Sequence, residues 1–194
     1  VAMQKGLAGL EFASGIPGSL GGAVAMNAGA YGGTMDQVVE RVQVLAPDGT
    51  MPWLGREEMG FSYRHSLCAQ RGWVVLQALL CLERGDSRAI AAKMDDIGRQ
   101  RRERQPLTYP SAGSVFKRPP GDYAGRLIEA AGLMGTRVGD AQVSEKHAGF
   151  IINLGRATAG DVLALMNHIM DVVQARFGVR LEPEVQIIGE DEPA

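Results

Sequence analysis

A serine, a glycine and two cations stand together in residues 110–119, PSAGSVFKRP. Gly113 frees the backbone directly before Ser114, and Lys117 and Arg118 follow shortly after. A hydroxyl beside paired cations suits an anionic substrate, because phosphate and carboxylate groups both bind paired positive charge. The segment is not a GxSxG nucleophile elbow, and no His-Asp pattern accompanies it, so a hydrolase triad is not indicated. A turn with solvated cations is the alternative interpretation.

Two further side chains could supply charge to a site. Arg64 lies in residues 61–66, FSYRHS, where its planar guanidinium could present a fork to a carboxylate, although a lone arginine more often forms a surface ion pair. Glu184 directly precedes an apolar run at residues 185–188, which we predict to be a short strand. Partial burial at the start of a rigid strand would favour the protonated carboxyl group and let Glu184 act as an acid. An exposed glutamate at a strand end is the alternative.

The segment 15–33, GIPGSLGGAVAMNAGAYGG, is rich in glycine and carries no charged residue. Each glycine inside a helix costs roughly 1 kcal/mol relative to alanine, and a flexible linker would be more polar. We therefore predict a loop whose backbone approaches another group closely, such as a phosphate or a ring carbonyl oxygen. The segment lacks the GxGxxG fingerprint, so a Rossmann site is not indicated. Tight turns between packed sheets are an equally good interpretation.

The composition excludes several classes of protein. The 194 residues are 45% hydrophobic and 22% charged, which is typical of a globular chain with one large or two small domains. The net charge of -2 gives no reason to expect nucleic acid or an anionic membrane as a partner, and we interpret the basic run at 99–104 as a solvated helix face. Cys68 and Cys81 form no CxxC pair, so we expect no metal site and a reducing cytoplasm.

The elements that position these residues follow from the apolar pattern. Alternation predicts a half-buried strand at 38–45, and a continuous apolar run predicts a buried strand at 73–82. A helix over 87–104 is capped by Ser87 and stopped by Pro106, and the prolines that follow place a domain boundary near residue 105. Further elements are a helix at 123–131, a strand at 148–154 and a helix at 159–177 whose core stripe is Val162, Leu165, Met166, Ile169 and Val173. Helices and strands in blocks indicate the α+β class.

Five segments of this chain occur in the same order in a known family. They are GLAGLEFASGIPGSLGGAVAMNAGAYGG, FSYRHS, RQPLTYPSAGSVFKRP, AGRLIEAAGLMGTRVGDAQVSEKHAGFIINLG and LEPEVQIIG, and they extend from about residue 6 to residue 190. In these segments the chain resembles the UDP-N-acetylenolpyruvoylglucosamine reductase family, also called UDP-N-acetylmuramate dehydrogenases. It is more similar to the shorter branch, which lacks an inserted tyrosine-bearing loop.

The resemblance implies a domain organisation. Residues 1–104 would be the remainder of a two-subdomain FAD-binding domain, and residues 105–194 a smaller α+β domain that binds the UDP-sugar. Family members begin with a further segment whose Gly-Ser-Asn turn holds the FAD pyrophosphate. Because that turn does not occur here and Val1 is not an initiator methionine, we expect the N-terminal part of the FAD-binding domain to be missing.

The resemblance also implies a reaction. NADPH reduces FAD, and the reduced flavin passes hydride to the enolpyruvyl ether of UDP-N-acetylglucosamine, giving UDP-N-acetylmuramate for peptidoglycan synthesis, and hence for cell shape and division. We expect FAD as cofactor, NADPH as cosubstrate, the UDP-sugar as small-molecule partner, a cytoplasmic monomer, and no metal, nucleic acid or membrane partner. The alternative is an inactive nucleotide-sugar-binding fragment that does not retain flavin; a third hypothesis, another flavoprotein of similar architecture, fits Ser114 and Glu184 less well.

The same resemblance assigns roles to residues. Arg64, Ser114 and Glu184 are the expected catalytic residues: Arg64 and a protonated Glu184 would stabilise charge on the enolpyruvyl carboxylate, and Ser114 would protonate the adjacent carbon. Because a serine hydroxyl is a weak acid, Lys117 would stabilise the developing alkoxide. We favour Glu184 over Glu182 because it lies directly before the predicted strand. The candidate substrate contacts are Tyr63, Lys117, Arg118 and Gln142. The candidate flavin contacts are Gly15, Ile16, Pro17, Gly18, Gly21, Gly22, Asn27, Gly29, Ala30 and Tyr31.

Overall fold

The computed structural model describes residues 1–189 and divides into two compact units. The first unit is Val1–Arg101, and the second begins at Arg102. Residues 190–194, which the sequence assigns to the second domain, lie outside the described part. Both units mix helices with antiparallel strands, which confirms the α+β class.

A three-stranded antiparallel sheet forms the centre of the first unit, in the order β5 (Trp53–Gly55), β4 (Val39–Leu45) and β6 (Val74–Leu80). The central strand β4 buries Val42 and Val44, as the alternating pattern predicts, and Val39 is also buried because the register shifts between Val39 and Arg41. In chain order the elements are β1 (Leu7–Ala8), α1 (Leu20–Ala25), β2 (Gly29–Ala30), β3 (Gly33–Thr34), β4 (Val39–Leu45), β5 (Trp53–Gly55), α2 (Leu67–Arg71), β6 (Val74–Leu80), β7 (Glu83–Arg84) and α3 (Ser87–Arg104), with short 3-10 helices at Met3–Lys5, Glu11–Ala13, Met35–Gln37 and Glu57–Met59.

Strand β6 is not the buried strand that its continuous apolar run predicts. It lies at the edge of the sheet order β5-β4-β6, and Val74, Leu76 and Leu79 are exposed. Val75 and Ala78 pack against the core from the same strand. Side chains of β6 alternate between the two faces except at a register shift opposite Gln43 and Val44, so one apolar face of β6 contacts the core and the other does not. The strand is confirmed and its predicted burial is wrong.

A short helix lies inside the glycine-rich segment, where we predict a loop. Ser19 caps this helix, α1, by accepting a hydrogen bond from the N–H of Gly22 at 3.1 Å. A Cβ atom at Gly21 would lie 3.4 Å from the carbonyl oxygen of Val75, an ordinary contact distance, so α1 packs directly against β6 at this position. Capping and close packing therefore offset the low helix propensity of glycine.

Helix α3 has the predicted length but a different cap. Asp86, rather than Ser87, precedes the helix, and its Oδ1 accepts hydrogen bonds from the N–H groups of Arg88 and Ala89 at 2.6 and 3.1 Å. The Ser87 hydroxyl instead donates to the carbonyl oxygen of Met3. An aspartate here also places negative charge at the helix N-terminus, which the helix dipole favours.

The second unit is a four-stranded antiparallel sheet covered on one face by two helices. The sheet order is β8 (Ser111–Ser114), β11 (Phe150–Asn153), β10 (Ala141–Val143) and β9 (Arg137–Val138), and the core lies between the sheet and the helices. Its elements are β8 (Ser111–Ser114), α4 (Ala124–Ala130), β9 (Arg137–Val138), β10 (Ala141–Val143), β11 (Phe150–Asn153) and α5 (Ala159–Phe177). The core stripe of α5 is confirmed, with Leu165, Met166, Ile169 and Val173 buried and Val162 partly buried.

The predicted strand at residues 185–188 is wrong. These residues have no regular secondary structure, and Ile188 is 90% exposed. Pairing occurs slightly earlier, where Pro183 forms an isolated antiparallel bridge with Phe116. Because proline has no N–H group to donate, it interrupts a ladder of hydrogen bonds at this point.

Candidate functional site

Ser114 is the last residue of β8 and lies opposite Phe150 of β11. Its side chain is exposed. The next residue, Val115, accepts a hydrogen bond from the N–H of Glu184 at 2.8 Å. The second unit therefore brings the backbone of Glu184 to within one residue of Ser114, although these positions are 70 residues apart in the sequence.

The two neighbouring glutamates make different contacts. Glu182 forms an ion pair with Lys117, with Oε2 and Nζ 3.5 Å apart, and its carbonyl oxygen accepts from the Lys117 N–H. Lys117 is therefore paired with a carboxylate in this structure, whereas its expected role is to stabilise the alkoxide of Ser114. The pair is solvent-exposed, so it contributes little to stability, and Lys117 can bind another anion in place of Glu182. The preference for Glu184 now rests on its bond to Val115, since the strand used to argue for it is absent from residues 185–188.

Gln142 of β10 shares a sheet face with Ser114. Gln142 pairs with Ile152, and Phe150 pairs with Ser114; Phe150 and Ile152 are two residues apart on β11, so their side chains point the same way. The core of the unit lies against the opposite face. Gln142 donates from Nε2 to the carbonyl oxygen of Gly135 at 3.1 Å, which orients its amide group.

Arg118 is oriented by the turn that precedes α4. Its Nε donates to the carbonyl oxygen of Asp122 at 3.3 Å, and its guanidinium lies 4.0 Å from the centre of the Tyr123 ring. Hydrogen bonds from Arg126, and then from the Tyr123 N–H, lower the pKa of Asp122 to about 2. The contacts with Asp122 and Tyr123 therefore orient the Arg118 side chain.

His147 lies close to Phe150 and yields a prediction on stability. Its Nδ1 accepts from the Gly149 N–H at 3.0 Å, its ring meets the Phe150 ring edge-on, and burial lowers its pKa below the ordinary value of 6.5. As pH falls below 6.5, the unfolded chain binds a proton before the folded chain does, so we expect the free energy of unfolding to fall, by at most ~1.4 kcal/mol per pH unit for this group.

Denaturant unfolding at a series of pH values measures how the free energy of unfolding depends on pH. His147→Gln should flatten the dependence below pH 6.5, whereas His168→Gln, a change at an exposed position, should leave it as it is. An unchanged slope in His147→Gln would contradict the assignment.

Arg64 occupies a strained turn in the first unit. The turn is closed by the bridge between Ser62 and His65, and Arg64 has a φ of 54°, which is uncommon for a residue other than glycine. Its Nη2 donates to the carbonyl oxygen of Gly29 at 3.3 Å, and its guanidinium lies 5.0 Å from the centre of the exposed Tyr63 ring. Backbone strain of this kind is concentrated at functional sites. The structure thus brings Arg64 to the glycine-rich segment.

Asn27 links the glycine-rich segment to the same turn. Its side chain is buried, with Nδ2 donating to the carbonyl oxygen of Ser62 and Oδ1 accepting from the Asp36 N–H, each at 3.0 Å. Asn27 is a predicted flavin contact, but both of these hydrogen bonds are made to other residues of the protein. Asn27 supports the position of Arg64.

Some glycines of the segment 15–33 are closely packed, and others are open. A Cβ atom at Gly29 would lie 2.5 Å from Cγ2 of Thr34, and one at Gly15 would lie 3.0 Å from Cδ of Arg101, so internal packing requires these glycines. Gly18 and Gly32 have positive φ, and no described atom lies within 4 Å of a Cβ at either position. Their backbone is open to the approach of a ligand.

The remaining predicted contacts lie around these glycines. Ile16 packs partly against the core, and Pro17 is exposed. Ala30 ends β2, and Tyr31 and Gly32 form the turn to β3 with positive φ at both positions, which is the geometry of a type I′ hairpin. The hairpin presents the Tyr31 ring at its tip.

Arg101 is a residue that the sequence analysis missed. We interpret residues 99–104 as a solvated helix face, yet Arg101 is only 9% exposed. Its Nε donates to the carbonyl oxygen of Ser14 at 2.9 Å, and its guanidinium lies 5.1 Å from the centre of the Tyr31 ring. The signal was present, because Ile90, Ile97 and Arg101 recur at helical spacing on the buried face of α3.

An apolar cavity of about 500 Å³ lies in the second unit. Its lining is mostly hydrocarbon, so burying a charged UDP-sugar there without partners would be costly, and we place no substrate in it. The residues that line it are Pro110, Ser111, Ala112, Val115, Ile151, Ile152, Asn153, Ala159, Val162, Leu163, Met166, Val185, Gln186, Ile187 and Ile188.

Residues 1–189 lack two features that would suggest other functions. None of the helices in this range is both long and apolar enough to cross a bilayer. In the same range, no group of three or more His, Cys, Asp or Glu side chains is arranged to hold a metal ion.

Both units match models of known families. Residues 105–188 match the UDP-N-acetylenolpyruvoylglucosamine reductase C-terminal domain, and residues 1–55 match the FAD binding domain. The UDP-N-acetylenolpyruvoylglucosamine reductases of Caldanaerobacter subterraneus subsp. tengcongensis and Clostridium novyi are 56% and 53% identical to this chain, each over 98% of it. This chain belongs to the UDP-N-acetylenolpyruvoylglucosamine reductase family.

A solved structure supports the same relationship. The crystal structure of UDP-N-acetylenolpyruvylglucosamine reductase from Thermus caldophilus is 43% identical, with a TM-score of 0.84 over 95% of this chain and 66% of that one. The chain spans 63% and 62% of the lengths of the two reductases named above.

The first unit offers features that fit a flavin in this reductase family. Gly18 and Gly32 leave backbone open to a ligand, and Nη2 of Arg101 is buried with no hydrogen-bond partner among the described residues. A flavin carries carbonyl and phosphate oxygens that accept hydrogen bonds from such groups. The residues present therefore fit the cofactor that the family model names.

Proposed function

We propose that this chain is the flavin- and substrate-binding part of a reductase that converts UDP-N-acetylglucosamine enolpyruvate to UDP-N-acetylmuramate, with NADPH as electron donor. Residues 1–104 would bind FAD, and residues 105–194 the UDP-sugar. The observation that carries the proposal is the arrangement of Ser114, Lys117 and Glu184, in which Glu184 bonds to the residue after Ser114. The reaction would serve peptidoglycan synthesis in the cytoplasm, and we expect the enzyme to be a monomer.

The residues of the second unit would handle the proton and the developing charge. When bound, FAD would supply the hydride that adds to the enolpyruvyl double bond. Ser114 would then donate its hydroxyl proton to the carbon beside the carboxylate. A protonated Glu184 would donate a hydrogen bond to a carboxylate oxygen, where negative charge develops during the reaction.

The cations would bind the anionic parts of the substrate. Lys117 can leave its exposed ion pair with Glu182 for a substrate phosphate or for the alkoxide of Ser114. Arg118 and Gln142 are proposed as further contacts to the UDP-sugar. Arg64 lies in the other unit, and its proposed role, a bidentate bond to the enolpyruvyl carboxylate, rests on the family resemblance and on its strained turn.

Alanine substitutions at the two glutamates test this arrangement. Glu184→Ala should lower the rate of substrate reduction by ~100-fold, because a donor aimed at the developing charge is lost. Glu182→Ala removes a carboxylate of the same kind, two residues away, and should change that rate by less than about threefold because its ion pair is exposed. Single-turnover oxidation of the reduced flavin by substrate measures both.

The pair of variants also has an outcome that would refute the proposal. If Glu182→Ala were the slower variant, Glu182 would be the acid and the assignment of Glu184 would be wrong. If both variants turned over like the parent protein, neither glutamate would act on the substrate.

A further inference from the structure

Arg101 presents a buried cation that the protein itself satisfies only in part. Its Nε donates to the carbonyl oxygen of Ser14, but Nη2 is buried and has no hydrogen-bond partner among residues 1–189. The side chain is 9% exposed, so water does not solvate the guanidinium freely. A hydrogen-bond acceptor supplied by a bound ligand would therefore stabilise the buried Nη2 group of Arg101.

The surroundings of Arg101 point to the kind of acceptor. The guanidinium lies over the Tyr31 ring, and Gly15 packs against its stem so closely that a Cβ there would lie 3.0 Å from Cδ. Both residues belong to the segment 15–33, which matches the FAD binding domain over its whole length. Two glycines of that segment, Gly18 and Gly32, have open backbone. Arg101 thus comes from α3 to the same segment whose backbone is open to a ligand.

We propose that Arg101 is a flavin-binding residue, whose Nη2 donates a hydrogen bond to an electron-rich oxygen of the cofactor. This inference rests on the proposed function, in which the first unit binds FAD. The oxygen belongs either to the flavin ring or to the pyrophosphate, since both accept charge-assisted hydrogen bonds. Contact with the ring would also stabilise the negative charge of the reduced flavin and so raise its reduction potential.

A structural role for Arg101 makes a different prediction. A guanidinium that only packs the helix against the hairpin would stabilise the folded chain whether or not flavin is present. The unpartnered Nη2 does not stabilise the flavin-free protein, because its desolvation is not compensated, so in that state the arginine contributes mainly through the single bond from Nε to Ser14. Flavin affinity and flavin-free stability therefore separate the two roles.

The test compares Arg101→Met with Arg99→Met in the 194-residue chain. Methionine fills similar volume without the donor, and Arg99 lies on the same helix with its charge exposed and paired to Asp96. Titration with FAD, followed by flavin fluorescence, should show that Arg101→Met binds FAD at least ~10-fold more weakly than the parent, because a hydrogen bond to a charged group is lost. Arg99→Met should bind FAD with an affinity within about twofold of the parent, because its ion pair is exposed. The unfolding midpoint of flavin-free Arg101→Met should stay within a few degrees of the parent. Arg101→Lys should bind with intermediate affinity, because it keeps the charge without the fork.

Riboflavin, which lacks the pyrophosphate, locates the acceptor. Equal weakening for riboflavin and FAD, with a lower reduction potential of the bound flavin, would place Arg101 at the ring; weakening for FAD alone would place it at the pyrophosphate, and both results support the inference. Parent-like FAD affinity in Arg101→Met would overturn the inference and leave the proposed function standing. A large fall in the flavin-free unfolding midpoint would also overturn it, in favour of a structural role. If the parent chain took up no flavin, the flavin-binding part of the proposed function would fail together with the inference.

Discussion

Ser114→Ala should leave the reduction of FAD by NADPH unchanged and slow the reduction of the enolpyruvyl substrate by at least ~100-fold. Loss of a positioned acid typically costs 10²–10⁴-fold in rate, and Ser114 is the proposed proton donor. Because the side chain is exposed at the end of β8, its truncation removes the hydroxyl without opening a cavity in the core. Stopped-flow absorbance of the flavin, with each substrate in turn, measures the two half-reactions separately.

Ser111→Ala is the matched control for Ser114→Ala. Ser111 begins the same strand and is also exposed, so its truncation makes the same chemical change at the other end of β8. We expect both half-reactions of this variant to resemble those of the parent. Equal losses in both half-reactions of Ser114→Ala would contradict its assignment as proton donor, since they would indicate a general disturbance of the site.

Ile169→Ala should lower the free energy of unfolding of the second unit by about 2–5 kcal/mol. Ile169 is 1% exposed and lies in the core between α5 and the sheet that carries Ser114. Removing buried methyl groups loses their transfer free energy and leaves a cavity that neighbours fill only partly. Equilibrium unfolding in denaturant, followed by circular dichroism, measures the change.

His168→Ala provides the comparison for Ile169→Ala. His168 is the preceding residue of α5 and is exposed, so its replacement should change the free energy of unfolding by no more than about 0.5 kcal/mol. If Ile169→Ala were as stable as His168→Ala, the packing of α5 on the sheet would not be as the structure describes it.

The elements with a strong periodic pattern could be predicted from sequence. Helix α5 has its predicted bounds and core stripe, because its apolar residues recur at helical spacing over five turns. Strand β4 follows from its alternation for the same reason. Local sequence determines such elements because burial of one face repeats along them.

Features that depend on distant parts of the chain could not be predicted. The apolar run of β6 does not reveal that the strand lies at a sheet edge, because sheet order is a property of tertiary pairing. The glycine cost in α1 is offset by contact with β6, which lies about 50 residues further on. The run after Glu184 reads as a strand, but the bridge at Pro183 does not extend into one.

The candidate site also contains some features that could be predicted from the sequence and others that could not. The segment around Ser114 and Lys117 could be recognised from residue types and spacing alone. The ion pair of Lys117 with Glu182 and the bond from Glu184 to Val115 join residues far apart in the sequence, and only the structure reveals them. Arg101 was missed because a charge-rich run suggested solvent exposure, although its helical spacing from Ile97 indicated the buried face.

Titration of the 194-residue chain with FAD, followed by fluorescence quenching and by the absorbance of bound flavin, tests directly whether this chain is the flavin-binding part of a reductase. We expect saturable binding of one FAD per chain, in keeping with the open backbone at Gly18 and Gly32. Absence of flavin binding, with retained binding of the UDP-sugar, would contradict it and would favour a nucleotide-sugar-binding fragment without reductase activity.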